Sequence, residues 1–356
     1  MKKIYVFCMI TIREIAKLAG ISRGTVDRVI NKRGRVHPET EKRIQNILHN
    51  KGYRLNSHAR ALSIQKRKFE VAYIYHISEI NTFFEDIVTG INAKVSELKN
   101  YSINLKIVPV RLNDTRLFLR ALNEMQKKKV DGIIVTPFKA PEITEKINEL
   151  VDMGFPVITC NIDSADSKRM AFIGCNLYKS GFTAGGLMGI IVSGQVQIGI
   201  VTSGIHYERD RGFIDAITKN HPDIHIVDTI EAEEDDEKTL NQTKLLMKKN
   251  PFIQAIFANT VAVKGICQAL MDLGLHKKVK VICFDDMPII RNLMVEGIVS
   301  AVVVQNPFWQ GYHSFEMLWD YLLNRRIPDE EINFSDIEIR IKESLEDVQI
   351  APCGND

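Results

Sequence analysis

From Phe69 onward the chain alternates short apolar runs with amphipathic stretches, and no other feature limits its fold so tightly. VAYIYHI, INLKIVPV, VDGIIVTP, PVITCNI, MAFIGCN, QIGIVTS, IHIVDTI, AIFANT, VKVICFD and VSAVVVQ read as strands. Between them FEDIVTGINAKVSELK, RLFLRALNEMQKKK and EITEKINELVDMG carry the helical period. Strand–helix units of this length pair in parallel, with helices covering both faces of a sheet. The region is long enough for two such sheets, with a ligand cleft at the C-terminal strand ends.

The chain before Phe69 has a different texture. Thr11 with Glu14 forms a capping box opening IREIAKLA, and Ala19-Gly20-Ile21 supplies a tight turn. Ser22 caps RGTVDRVIN, Gly34 breaks it, and Pro38 opens ETEKRIQNILHNK, which Gly52 closes. Three helices are expected, sharing a core of Ile15, Leu18, Ile21, Val26, Val29, Ile44, Ile47 and Leu48. Residues 1–70 hold 17 Lys and Arg against 5 Asp and Glu, a balance of +12, whereas residues 71–356 carry −9. A small basic head on an acidic body is the charge pattern of a polyanion binder.

Cys8, Cys160, Cys175, Cys267, Cys283 and Cys353 show neither CxxC pairs nor zinc-spaced histidines, so reduced core thiols in a cytosolic protein are expected. MKKIYVFCMI imitates a secretion signal but passes straight into TIREIAK with no small-residue cleavage site. Residues 1–8 are therefore taken as an extension before a start near Met9. No stretch approaches the ~20 apolar residues of a membrane span.

A helix-turn-helix needs a capped first helix, a sharp turn with a small residue, and a second helix whose outer face can enter a major groove. TIREIAKLAGISRGTVDRVIN meets all three needs, and the likeness extends through GRVHPETEKRI to NKGYRLNSHARALS. This region resembles the N-terminus of the lactose-repressor (LacI-type) family of bacterial transcription regulators. The resemblance places Arg23, Gly24 and Arg28 against base edges, where a guanidinium fork suits guanine O6 and N7. It makes Thr11, Ser22, Thr25 and Asn31 backbone-positioning donors. Asp27 departs from the small hydroxyl residue common there; it either accepts from cytosine N4 or orients Arg23. Asn56, Ala59 and Leu62 fall in a segment resembling the family's hinge helix, with Leu62 either a minor-groove wedge or a linker residue packed on the body. Arg60, Lys66, Arg67 and Lys68 add nonspecific phosphate attraction.

The body resembles the same family's effector domain and the periplasmic ribose-binding-type proteins over nearly all of residues 71–341. The resemblance puts Phe83 and Phe84 at a sugar face, leaving open which of the two meets the ring and whether the other is core. A polar ring is implied from Thr136, Asn161, Asp163, Arg209, Asn259, Asp285 and Gln305 at successive strand ends. Arg209 and Asp285 are its principal members, on opposite lips of the cleft or together at its floor, since each can hold two neighbouring hydroxyls. Thr260 and Asn176-Leu177 depart from the family pattern. The run Glu231 to Glu237 is expected to be a solvated loop.

The fold class implied is α + α/β: a three-helix helix-turn-helix head with hinge helix, then a periplasmic-binding-protein-like body of doubly wound parallel sheets. The expected divisions are 1–8, 9–55, 56–69 and 70–349. Within the body, residues 70–175 and 306–332 form one subdomain, and 176–305 and 333–349 the other. No GxGxxG, P-loop, GxSxG or HExxH occurs, so no enzyme, catalytic residue, cofactor or metal is expected. The expected partners are double-stranded operator DNA, a small effector of the sugar class, and a second copy in a homodimer, with no membrane. An extracytoplasmic sugar receptor shares the body's fold, but residues 11–63 count against it.

Overall fold

The computed structural model describes residues 12–30, 36–50, 67–77, 83–232 and 234–345. The chain forms two compact units, residues 1–67 and residues 68–356. The signal-like start, Thr11, Asn31 and the hinge segment carrying Asn56, Ala59 and Leu62 lie outside the described residues.

In the first unit, α1 (Ile12–Ala19), α2 (Arg23–Ile30) and α3 (Pro38–Asn50) follow the expected spans. α1 stops at Gly20, whose φ of +65° is the left-handed geometry that glycine adopts without strain. There Gly20 N–H reaches the Lys17 carbonyl and Ile21 N–H the Ala16 carbonyl, satisfying the helix end. Ser22 Oγ accepts from Thr25 N–H at 3.1 Å and so caps α2. Ile15, Ala16, Ala19, Val26, Val29 and Ile44 form the core, with Ile21, Ile47 and Leu48 packed against it. Leu18 corrects the expectation: it is 53% exposed. The buried side of α1 is centred among Ile15, Ala16 and Ala19, and helical geometry turns Leu18 roughly 100° away from it.

The second unit holds two six-stranded sheets. The first comprises β1 (Lys68–Ile77), β2 (Ser102–Arg111), β3 (Gly132–Val135), β4 (Val157–Asn161), β5 (Ala171–Gly174) and β11 (Ile332–Phe334). Its order is β11-β5-β4-β3-β1-β2, parallel throughout. Crossovers run through α4 (Phe83–Glu97), α5 (Thr115–Lys127) and α6 (Pro141–Asp152), and α12 (Pro307–Asn324) packs on the same lobe. The second sheet comprises β6 (Val196–Thr202), β7 (Ile224–Glu231), β8 (Ile253–Asn259), β9 (Lys280–Phe284), β10 (Ala301–Val304) and β12 (Glu338–Arg340). Its order, β12-β10-β9-β8-β6-β7, repeats the first. Its helices are α7 (Leu177–Ile191), α8 (Tyr207–Asn220), α9 (Asp236–Lys249), α10 (Val263–Asp272) and α11 (Pro288–Val295).

All ten expected strands are present. β11 and β12 were not foreseen, because each is three residues long and half-exposed, without an apolar run. β12 pairs antiparallel with β10, so the second sheet is mixed rather than wholly parallel. Each lobe has its own core: Phe118, Leu122, Ile133 and Ile147 in the first, Phe213, Phe257 and Ile282 in the second. The Phe213 and Phe257 rings stack at 3.9 Å. Side chains buried this fully contribute about 1.5–3 kcal/mol each.

The chain crosses between the lobes after β5, after β10 and after β11. Asn333 and Phe334, expected in the second lobe, pair with β5 in the first, so the last crossover follows Phe334. The acidic run is a loop only in its middle, where Ala232, Glu234 and Asp235 lie outside strand and helix. Glu231 ends β7, Asp235 Oδ1 accepts from Lys238 N–H at 2.9 Å, and Asp236 and Glu237 fill the first turn of α9, where a helix dipole favours anions. Cys160, Cys175, Cys267 and Cys283 are buried free thiols; Cys8 and Cys353 lie outside the described residues.

Candidate functional site

On the head, helical spacing puts Arg23, Gly24, Asp27 and Arg28 on the side of α2 opposite Val26 and Val29, which are buried. Arg23, Gly24 and Arg28 are exposed. Arg28 Nε donates to the Gly24 carbonyl at 3.2 Å, laying the guanidinium along the first half of the helix. A Cβ at Gly24 would meet nothing nearer than Ser22 Oγ at 3.8 Å, so the head's own packing does not demand a glycine that costs a helix interior about 1 kcal/mol. The first turns of α1 and α3 carry Glu14 and Glu39 with Glu41, whereas that of α2 has no acid and begins with Arg23. A cation at that end opposes the helix dipole. Within its own helix the α2 terminus therefore lacks the negative charge it favours, the condition in which helix N-termini bind phosphate.

In the body, the strand order reverses beside β1 in the first sheet and beside β6 in the second, and ligands of open α/β sheets bind at the carboxyl ends of such strands. His76, near the end of β1, and Thr136, just after β3, flank the first reversal; Thr202 and Asn259, ending β6 and β8, flank the second. Burial holds the imidazole of His206, at the start of α8, down at about 3, and it lies close enough to Arg209 of its own lobe and His76 of the other for both to add to that effect. Both reversals thus face one cleft.

Arg209 and Asp285 sit together on the second lobe, so the placement on opposite lips is excluded. The Arg209 guanidinium lies 4.1 Å from the centre of the Phe284 ring, a contact worth about 2 kcal/mol when desolvated. Gly181 of α7 permits this: a Cβ there would lie 2.0 Å from the Arg209 carbonyl. Burial pushes the Asp285 carboxyl up to about 6, against the pull of Arg209 and of Gln305, whose Nε2 donates to both carboxylate oxygens at 3.2 and 3.1 Å. Asn161, Asp285 and Asn306 have φ of 67°, 60° and 52°, a strained conformation that Asn and Asp tolerate best. Strand-end Asn and Asp therefore supply both the bend and the polar atoms.

Phe83 and Asp285 line one recess of about 170 Å³, which makes Phe83 rather than Phe84 the ring that shares a wall with Asp285. Phe84 packs into the wall, 5.7 Å from Tyr75 and 4.8 Å from His76. Two residues expected in the polar ring are committed elsewhere. Thr136 is fully buried with its hydroxyl 2.9 Å from that of Tyr73, because the strand turns it inward under the sheet edge. Asp163 receives the Thr159 hydroxyl and is clamped by the Arg169 guanidinium, which also holds Glu331. Asn259 Nδ2 donates to the His206 carbonyl at 3.1 Å and to Asp210 at 2.9 Å. Asn161 donates to Gln310 Oε1 at 3.1 Å.

His76, His206, Gln310 and Ser335 were missed. Their only sequence signal was position near a strand or helix end. Among the described residues no group of three or more metal-ligating side chains assembles, and no helix is long and apolar enough to cross a membrane.

Residues 71–326 match the family described as periplasmic binding protein domain, and residues 11–56 match bacterial regulatory proteins, lacI family. The chain is 26% identical over 333 residues to catabolite control protein A of Priestia megaterium, covering 91% of this chain and 95% of that one. It is 30% identical over 183 residues to the sucrose operon repressor of Staphylococcus xylosus, covering 51% and 53%. Among solved structures, GanP, a glucose-galactose binding protein from Geobacillus stearothermophilus, superposes with a TM-score of 0.70 at 24% identity, over 79% of this chain and all of that one.

Proposed function

The chain belongs to the lacI family of bacterial regulatory proteins, its DNA-binding domain joined to a periplasmic-binding-protein domain, and from that premise we propose how it works. It is a transcription regulator, a repressor of a sugar or catabolic operon, that binds double-stranded operator DNA under the control of a small polyhydroxylated effector. It acts in the cytoplasm as a homodimer, since a helix-turn-helix reads paired half-sites through a two-fold axis. One observation carries this reading: a single chain presents a cationic, acid-free helix terminus on its head and a strand-end cleft in its body where a buried Arg209 lies near the carboxylate of Asp285.

Arg23 and Arg28 read guanines, Ser22 and Thr25 fix register on the backbone, and Gly24 admits the DNA closely. Asp27 orients Arg23 or meets cytosine. Thr11, Asn31, Asn56, Ala59 and Leu62 keep their expected roles on DNA. In the cleft, Arg209 and Asp285 hold hydroxyls, Phe83 packs on the ring, and Gln305 and Asn161 tie the site to the interlobe crossovers.

The test is the salt dependence of the full chain on DNA selected from a random library by the chain itself. Neutralising 6–10 phosphates should cost about 10³–10⁵ in affinity between 50 and 200 mM salt. Salt-independent binding, or no selectable sequence, would reject the reading.

A further inference from the structure

Three buried side-chain atoms in the cleft have no hydrogen-bond partner among the described residues: His76 Nδ1, Arg209 Nε and Asn259 Oδ1. Buried polar atoms are seldom left so, because each gives up its bonds to water and gains nothing in return unless something meets it. They are not scattered. His76 stands at the strand reversal of the first sheet, Asn259 at that of the second, and Arg209 beside both His206 and Asp285.

The chemistry of each atom is fixed by what its side chain already does. Asn259 spends its amide hydrogens on the His206 carbonyl and the Asp210 carboxylate, so Oδ1 is an acceptor awaiting a donor. The His76 ring bonds to the Thr136 backbone in a way that favours its protonated form, as donation to a carbonyl does. With Nδ1 unpartnered, that donation comes from Nε2. Burial among Phe84 and Phe138 keeps the ring neutral, its pKa lowered to about 4, so Nδ1 carries a lone pair and is also an acceptor. Arg209 Nε is a donor awaiting an acceptor.

We infer that His76 is a ligand-reading residue, accepting a hydroxyl hydrogen from the first lobe, and that the effector is a neutral polyol rather than a sugar acid. A hydroxyl both gives and accepts, so two hydroxyls of one polyol can satisfy all three atoms, one hydrogen going to each of His76 Nδ1 and Asn259 Oδ1 and a lone pair to Arg209 Nε. A sugar acid could meet His76 Nδ1 and Asn259 Oδ1 through its hydroxyls, but its carboxylate would stand near Asp285 and the recess that Asp285 lines together with Glu85, Asp86 and Asp286, where like charge disfavours an anion. Arg291, the cation lining that recess, is paired with Asp286, which also holds Arg340. His76 further makes binding depend on both lobes, because its counterpart groups belong to the second.

This inference rests on the reading of the cleft as the effector site, and the test separates the two. The full chain is screened by thermal shift against neutral aldoses and alditols (D-ribose, D-xylose, D-glucose, D-galactose, D-mannitol) and against D-gluconate, D-glucuronate and D-galacturonate. The strongest binder is then titrated calorimetrically into wild type, His76→Phe, His76→Asn and Asp285→Asn. His76→Phe keeps the aromatic packing and removes the acceptor; His76→Val takes its place should that variant not fold. A neutral compound should bind best, with affinity lost at least 10-fold in His76→Phe and kept within about threefold in His76→Asn, which retains an acceptor near the Nδ1 position. Wild-type affinity in His76→Phe with loss in Asp285→Asn overturns the role of His76 alone. A sugar acid as strongest binder overturns the neutral class. Affinity unaltered in both variants, or no binding by any compound, overturns the cleft reading and this inference with it.

Discussion

Gln310 donates from Nε2 to the Gln305 carbonyl at 2.7 Å, a side chain of α12 holding the backbone where the chain re-enters the first lobe. Around this bond the three crossovers are laced together. Gln310 Oε1 accepts from Asn161, and Ser335 gives its hydroxyl to the Gln305 carbonyl at 2.7 Å and its N–H to the Gly174 carbonyl at 2.8 Å. Gln305 in turn holds Asp285. A change of angle between the lobes must therefore disturb the groups that touch the ligand.

Gln310→Leu should loosen this lacing without touching the ligand. Removing one partner leaves the half-buried amide of Asn161 and the buried Gln305 carbonyl less satisfied, costing about 1–3 kcal/mol of body stability. Chemical denaturation of the full chain checks this; a change below about 0.5 kcal/mol would make the network incidental.

Asp285→Asn should make the body more stable at neutral pH while abolishing effector binding. The folded carboxyl titrates at about 6 and an unfolded aspartate near 3.9, so the protonated form is the one folding favours. That contribution is present in full below pH ~4 and is lost as pH rises through 6. The loss by pH 7 is on the order of 2 kcal/mol. Thermal melts of wild type and variant at pH 5, 6 and 7 should diverge as pH rises, with the variant ahead; parallel curves would contradict the assignment.

Gly20→Ala should destabilise the head by about 1–2 kcal/mol, the penalty of left-handed backbone for a residue with a Cβ. A Cβ there meets nothing within 4 Å, so the effect is conformational and Gly20→Asn should recover much of it. Melting of the head followed by circular dichroism decides. Equal loss in both variants would point to a steric cause.

Arg28→Ala should cost about 1–3 kcal/mol on the selected DNA and relax preference at one base pair per half-site, leaving random DNA nearly unaffected. Equal losses on both would make Arg28 a phosphate contact.

How much of this was legible beforehand follows the physics of each signal. Ten strands and the helices between them were readable because buried parallel strands write continuous apolar runs. β11 and β12 were not, since three half-exposed residues write nothing. Leu18 misled because apolar identity says less than helical phase, and the phase of α1 is set by the small residues Ala16 and Ala19. In the cleft, Arg209 and Asp285 could be named from their motifs as candidates for the proposed site, but their shared lobe could not. Thr136 and Asp163 fit the pattern of a polar ring, yet Tyr73 and Arg169, distant in the chain or in character, already occupy them. His76 was invisible for a different reason: a histidine ending an apolar run becomes informative only when Nδ1 is found buried and unpartnered.

The central claim is that one ligand site in the body governs the head's hold on DNA. It is tested most directly by fluorescence anisotropy of the full chain on its selected DNA, with and without the strongest-binding polyol, for wild type and Asp285→Asn. Adding the polyol should change wild-type DNA affinity about 5- to 150-fold, the usual range of allosteric coupling. In Asp285→Asn that change should vanish, while affinity without polyol stays within about twofold of wild type. A polyol effect of equal size in both proteins, or none in wild type at saturating ligand, would contradict it.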